Sequence, residues 1–151
     1  MQSEEVCVKR IETEDEVNTY IARLKYILQS EKVTFRFQKD RRVDETRNKK
    51  YTNRYTILYL FPEEDEVAAI KRALSCLSVK EYIETVKDKR FPNLSEMRVF
   101  SKKYAGEDVY IKIRVELLSS EGSNCIFVMS FHFAENAYSE KDFPYGKGVK
   151  S

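Results

Sequence analysis

The sequence predicts an α+β domain in which N-terminal helices pack on a C-terminal antiparallel sheet, and two observations predict it. Early in the chain, Thr13 followed by Glu16 forms a capping box, and Val17, Tyr20, Ile21, Leu24, Ile27 and Leu28 then recur at helical spacing. Late in the chain, Val109 to Leu117 and Cys125 to Phe133 alternate strictly, so that every second side chain falls on one face. Helices first and strands second is the order of a segregated α+β fold, not of alternating βα units.

Between these anchors the elements follow in order. Val33, Phe35 and Phe37 alternate with Thr34, Arg36 and Gln38 as a short strand or extended segment. The basic stretch from Lys39 has neither period and reads mostly as loop, while Tyr55 to Phe61 is a seven-residue apolar run that periodicity cannot type. Pro62 suits a helix entrance, and Val67, Ile70, Ala73, Leu74 and Leu77 mark one face of a second helix from about Glu63 to Cys76. Ser78 with Glu81 starts a third, shorter helix that offers Tyr82, Ile83 and Val86 before Phe91-Pro92-Asn93 ends it. Three antiparallel strands close the chain, Met97 to Tyr104, Asp108 to Leu118 and Cys125 to Glu135, with a first reversal at Ala105-Gly106-Glu107. The aromatic tail Phe143-Pro144-Tyr145 lies extended along the surface, and residues 146–151 fray.

With 42% hydrophobic residues in 151, the chain fits one domain with one core, spanning 1–151. No apolar run approaches the roughly 20 residues that span a bilayer, and Met1-Gln2-Ser3-Glu4-Glu5 is acidic where a signal peptide is basic, so a cytoplasmic protein without a membrane partner is expected. Cys7, Cys76 and Cys125 form no Cys-x-x-Cys pair and read as structural thiols. One histidine and no cysteine or aspartate cluster leave no coordination set for a metal, and no glycine-rich phosphate loop occurs, so no cofactor is expected. The net charge of +2 is small, but Lys39 to Arg54 holds seven cations against three carboxylates. That segment is either a solvated loop or a phosphate track in which Arg41, Arg42, Lys49 and Lys50 contact RNA and Tyr51 and Tyr55 stack on bases. The acidic groups at Glu12 to Glu16 and Glu63 to Glu66 fall at helix starts, where the macrodipole favours them.

The C-terminal hairpin is the richest in chemistry. A three-residue loop at Ser120, Glu121 and Gly122 sets a register that puts Tyr110 opposite His132 and Lys112 opposite Ser130. Val109, Ile111, Ile113, Val115 and Leu117 then share an oily face with Cys125, Phe127, Met129, Phe131 and Phe133, and the opposite face carries Tyr110, Lys112, Arg114, Ser130 and His132. RNA cleavage needs a base for the ribose 2′-hydroxyl, cations for the charge growing on phosphate and an acid for the leaving oxygen, and this face supplies all three kinds. Glu135 ends the same strand and is a further candidate for orienting His132, with Ser130 beside it. The competing reading is a solvated sheet face, which ordinarily carries Lys, Arg, Tyr and Ser.

These residues fall in a familiar order: Leu77-Ser78-Val79-Lys80-Glu81-Tyr82, Val99-Phe100 with Lys102, Asp108-Val109-Tyr110-Ile111-Lys112-Ile113, Ser130-Phe131-His132-Phe133-Ala134-Glu135 and Phe143-Pro144-Tyr145. From about Ile70 to Tyr145 the chain resembles MqsR-type toxins, the motility quorum-sensing regulator group of type II toxin-antitoxin systems; the N-terminal half matches loosely. The resemblance implies a RelE-like fold and a hydrolase that cleaves messenger RNA without metal, with RNA and a cognate antitoxin as partners and the ribosome as a further one. It implies that Tyr110 matches a tyrosine linked to catalysis, that Lys112 belongs to the same motif, and that His132 stands where founding members place a lysine. Arg98 stands where many relatives have tryptophan and Ser101 where glycine is usual. The expected roles are therefore His132, Tyr110 and Lys112 in catalysis, with Arg114, Lys102 and Arg98 on phosphate. The alternative is a non-catalytic RNA-binding or protein-interaction module on the same scaffold.

Overall fold

The computed structural model describes residues 6–40, 48–117 and 124–146. Thr13 starts the first helix, α1 (Glu14–Leu28), through the expected capping box: its hydroxyl accepts from the Glu16 N–H at 3.1 Å while the Glu16 carboxylate accepts from the Thr13 N–H at 2.8 Å. The untyped run is helical, α2 (Asn53–Leu60), and is capped by Thr52. Asp65 caps α3 (Glu66–Ser75), which begins three residues later than Pro62 alone implies. Val17, Ile21, Leu24, Ile70 and Leu74 point these helices into one apolar layer.

That layer packs on one face of a six-stranded mixed sheet. The strands are β1 (Cys7–Arg10), β2 (Thr34–Phe37), β3 (Tyr82–Asp88), β4 (Met97–Tyr104), β5 (Glu107–Leu117) and β6 (Asn124–Phe133), in spatial order β1-β3-β4-β5-β6-β2. All neighbours are antiparallel except β2 and β6, which run parallel. The purely antiparallel C-terminal sheet expected from sequence is thus corrected: both edges come from the N-terminal half, and β1 carried no alternation long enough to announce itself. The predicted third helix is also corrected. The Ser78–Glu81 box caps only a 3₁₀ turn, Val79–Glu81, after which the chain enters β3 and is paired on both sides. Seven residues with buried side chains on both faces satisfy a helical template by coincidence, and two flanking ladders decide for the strand.

The β4–β5 reversal is a two-residue turn at Ala105 and Gly106, with φ of 54° and 79°, the doubly left-handed geometry that matches strand twist. The β5–β6 pairing is less regular. Leu117 pairs with Asn124 and Ile113 with Val128, but Lys112 pairs with Ser130, so Met129 is the extra residue of a bulge. On the loop side of the bulge the register is one residue off the expected one, and a one-residue slip exchanges faces. Ile126 and Val128 therefore enter the helix-covered core, whereas Phe127 and Met129, expected there, lie on the opposite face. The loop at 118–123 lies outside the described residues, as does the tail from 147.

Beyond Val128 the outer edge of β6 has left β2 behind, and α2 serves that edge instead. Asn53 Nδ2 donates to the carbonyls of Met129 at 3.1 Å and Gln38 at 2.7 Å, and its Oδ1 accepts from the Phe131 N–H at 2.8 Å. Thr56 Oγ1 accepts from the Phe133 N–H at 2.9 Å. Both side chains are buried, and they fill the ladder positions that a further strand would otherwise occupy.

Candidate functional site

Below the bulge the expected register holds. Ser101, Tyr110 and His132 form one cross-strand row over β4, β5 and β6, and Val99, Lys112 and Ser130 form the next, both on the face away from the helices. The Tyr110 and His132 rings stack with centroids 5.3 Å apart and planes 27° from parallel. His132 Nδ1 lies 2.9 Å from the carbonyl oxygen of Phe133. A carbonyl only accepts, so this contact favours the tautomer with the proton on Nδ1 and leaves the lone pair on Nε2, the form of a general base.

Lys112, two residues along β5 from Tyr110, lines a cavity of about 440 Å³ with Arg114, Met129, Arg90, Asp88 and Cys7 among its walls. The Asp88 carboxyl is held below the usual carboxylate range, chiefly by its hydrogen bonds from Arg90 and to a smaller extent by the charge of Lys112. Arg114 is largely buried, its guanidinium 4.4 Å from the centre of the Phe127 ring and its Nε 3.1 Å from Glu116 Oε2. That N–H has no hydrogen-bond acceptor among the described residues. Glu116 is held in turn by the Ser95 N–H and hydroxyl, at 2.6 and 2.9 Å. Ser130 is buried, so the row it shares with Lys112 presents the lysine and not the hydroxyl.

Other sequence candidates are not brought to this face. Arg98 lies on the helix-covered side, where it grips Glu12 through two contacts of 2.9 and 3.1 Å and sits 4.3 Å above the Tyr20 ring. Lys102 donates to the Cys76 carbonyl at 3.2 Å and lies 3.5 Å from Glu81. Glu135 follows the end of β6 and lines a separate cavity with Tyr51, Lys103 and Glu107, so it does not continue the strand. Arg41 and Arg42 fall outside the described residues. In the described part of the basic segment, Lys39 pairs with Glu66, Arg54 with Asp40 at 2.5 Å and Lys50 with Glu107 at 2.7 Å; Lys49 is exposed. Tyr55 stacks on Tyr59, both substantially exposed, at 6.0 Å.

A buried polar network was missed, because Glu12 read as a helix-start carboxylate. Glu12 is 4% exposed and accepts from Arg98 and from Thr85 Oγ1 at 2.6 Å. Its N–H donates to Tyr82 Oη at 3.0 Å and its carbonyl accepts from Tyr145 Oη at 2.5 Å, tying β1, β3, β4 and the C-terminal segment together. Burial alone would raise the Glu12 carboxyl; the hydrogen bonds and charge of Arg98, with Thr85 and Arg10, outweigh it and hold the group below its ordinary range. Only the place of Glu12 at the β1–α1 junction, one residue before the Thr13 cap and so outside the helix, could have signalled this.

Among the described residues no group of three or more His, Cys, Asp or Glu is placed to hold a metal ion, and no helix is long and apolar enough to cross a membrane. In comparisons with known proteins, no family model matches the chain, and neither a curated protein nor a solved structure gives a significant match.

Proposed function

We propose that this chain is a cytoplasmic endoribonuclease toxin, similar to MqsR-type toxins and RelE-like in kind, that cleaves single-stranded messenger RNA without a metal and is held in check by a cognate antitoxin. The observation that carries the reading is the Tyr110–His132 stack beside Lys112, with the histidine's Nδ1 turned to a backbone carbonyl. In this scheme His132 Nε2 takes the proton of the ribose 2′-hydroxyl, whose oxygen bonds to phosphorus as the bond to the 5′-oxygen breaks. Lys112 balances charge on the non-bridging oxygens, and the Tyr110 hydroxyl gives its proton to the departing 5′-oxygen. The imidazolium then gives its proton to water and the phenolate takes one back from water, which restores both groups, and the products are a 2′,3′-cyclic phosphate and a 5′-hydroxyl.

The compensated cations favour a second reading, a non-catalytic RNA-binding or protein-interaction module: Arg114 leans on Phe127 and Glu116, and Lys50 on Glu107. Incubating the protein with defined single-stranded RNA in EDTA, and separately with translating ribosomes, divides the two. Fragments ending in cyclic phosphate, reduced about 100-fold or more in His132→Ala and Tyr110→Phe, are the expected result. Equal cleavage by the variants overturns the assigned roles. RNA that is bound in a salt-dependent way and never cut, in either setting, selects the module.

A further inference from the structure

The row that carries Tyr110 and His132 begins at Ser101, and Ser101 opens onto a second cavity. This cleft of about 380 Å³ lies between the β4–β5 hairpin and the segment 138–146, with Ser101 and Lys103 on the sheet side and Tyr138 and Phe143 on the other. Its size is within the range of small-molecule sites, roughly 300–1,000 Å³. Ser101 is 2% exposed, and its Oγ has no hydrogen-bond partner among the described residues. A buried hydroxyl is ordinarily satisfied, so an orphan one in a cavity wall is a place where a ligand can complete the hydrogen bonding.

The opposite wall is built and held. The Tyr138 and Phe143 rings meet edge to face at 5.9 Å, and the Tyr138 N–H donates to Asp108 Oδ2 at 3.0 Å. Gly146 lets the segment fold back on itself, since a Cβ there would come within 2.8 Å of Phe143 Cβ. Burial pushes the Tyr138 phenol up, so it stays a neutral hydrogen-bonding group at any physiological pH. Two of the lysines on its wall face carboxylates: Lys103 is 3.2 Å from Asp108 and Lys102 is 3.5 Å from Glu81. With Lys80 and Glu140 also on its wall, the cleft has three lysines against three carboxylates and is near neutral, aromatic on one side, with the Ser101 hydroxyl as its buried unsatisfied group among the described residues. Such a site disfavours a phosphate and suits a flat uncharged heterocycle with donors and acceptors on its edge.

We propose that this cleft holds one unstacked nucleobase of a single-stranded RNA, its ring against Tyr138 and Phe143 and its edge on the Ser101 hydroxyl, and that it sets base preference beside the cut. Ser101 and His132 are two strand spacings apart, about 10 Å, so the base in the cleft and the phosphate at His132 belong to adjacent nucleotides. The proposal rests on the ribonuclease reading for its substrate but not for its site.

The test uses the four uncharged nucleosides, titrated into isotopically labelled protein and followed by NMR. Shifts centred on Ser101, Tyr138 and Phe143 that saturate for one nucleoside ahead of the others are expected. Ser101→Val should weaken that binding tenfold or more, and Ser101→Ala, the gentler variant, severalfold, with both spectra otherwise native. No saturable shift with any nucleoside, or shifts that map elsewhere, overturns the proposal. If RNA is cut but Ser101→Val leaves the cleavage sites unchanged, the cleft fails while the ribonuclease reading stands. If a nucleoside binds at Ser101 and RNA is never cut, the cleft stands and catalysis falls.

Discussion

Replacing Arg98 with methionine keeps the apolar length of the side chain and deletes the guanidinium that faces Glu12, Tyr20 and, at 3.9 Å, Glu96. Glu12 would then retain Thr85 Oγ1 at 2.6 Å and Arg10 at 3.6 Å, the latter half exposed, while remaining nearly inaccessible to water. Removing one partner of a buried pair costs about 3–5 kcal/mol. The two surviving contacts place Arg98→Met at the lower end, about 3 kcal/mol, or a fall in Tm of about 6–12 °C for a chain of this size. The pH dependence follows from the direction of the Glu12 shift. A carboxyl held low when folded stabilises fully above its unfolded value, about 4.3, and loses that contribution as pH falls through the folded value. Without Arg98, burial dominates and raises the group, so the variant binds a proton on folding and its deficit is greatest at neutral pH and shrinks towards pH 3. Urea unfolding followed by circular dichroism at pH 7 and pH 3 measures both. A deficit below about 1 kcal/mol at pH 7, or one that does not change with pH, would refute the network as a source of stability.

Three further outcomes follow from the fold. Asn53→Ala leaves the Phe131 N–H without its acceptor and should cost about 2–4 kcal/mol, seen as accelerated hydrogen exchange at Phe131 and Phe133 while the Ile111 and Ile113 amides stay protected. Ala105→Gly relieves a left-handed residue and should stabilise by about 1 kcal/mol, whereas Gly106→Ala, which meets no atom within 4 Å, should cost a similar amount through backbone strain alone; thermal melts decide both. A thiol reagent at neutral pH should modify exposed Cys76 rapidly and leave buried Cys125, whose thiol burial pushes up, until denaturant is added; equal rates would contradict the burial of β6.

Local signals translated directly into structure. The Thr13 and Glu16 box and the apolar spacing of α1 and α3 act within one or two turns, so they are the same in any tertiary setting, whereas the Asp65 cap that sets the start of α3 went unread behind Pro62. Alternation in β4 and β5 was equally legible, and a three-residue loop at Ser120, Glu121 and Gly122 was expected to place Tyr110 against His132. That register was reached by a different route, however: a slipped loop end restored by a bulge at Met129, with Phe127 and Met129 exchanging faces with Ile126 and Val128. A bulge has no signature in an unbroken apolar run, because both faces of the run are hydrophobic.

What the sequence by itself determined is the α+β class, the helices α1 and α3, the order of the last three strands and the alternation that puts Tyr110 and Lys112 on one face of β5, all of them consequences of short-range periodicity and capping chemistry. What only the tertiary structure decided is which surface each charge serves. Arg98, Lys102 and Glu12 read in one dimension as phosphate ligands or cap charges; the packing of α1 and the C-terminal segment makes Arg98 and Glu12 partners of each other, and the end of α3 with the turn at Glu81 takes up Lys102. β3 became a strand, and Asn53 and Thr56 became the edge of a sheet, because neighbours distant in sequence supplied the hydrogen bonds that each backbone lacked. Burial and partnership are properties of the assembled layers, so no local pattern encodes them.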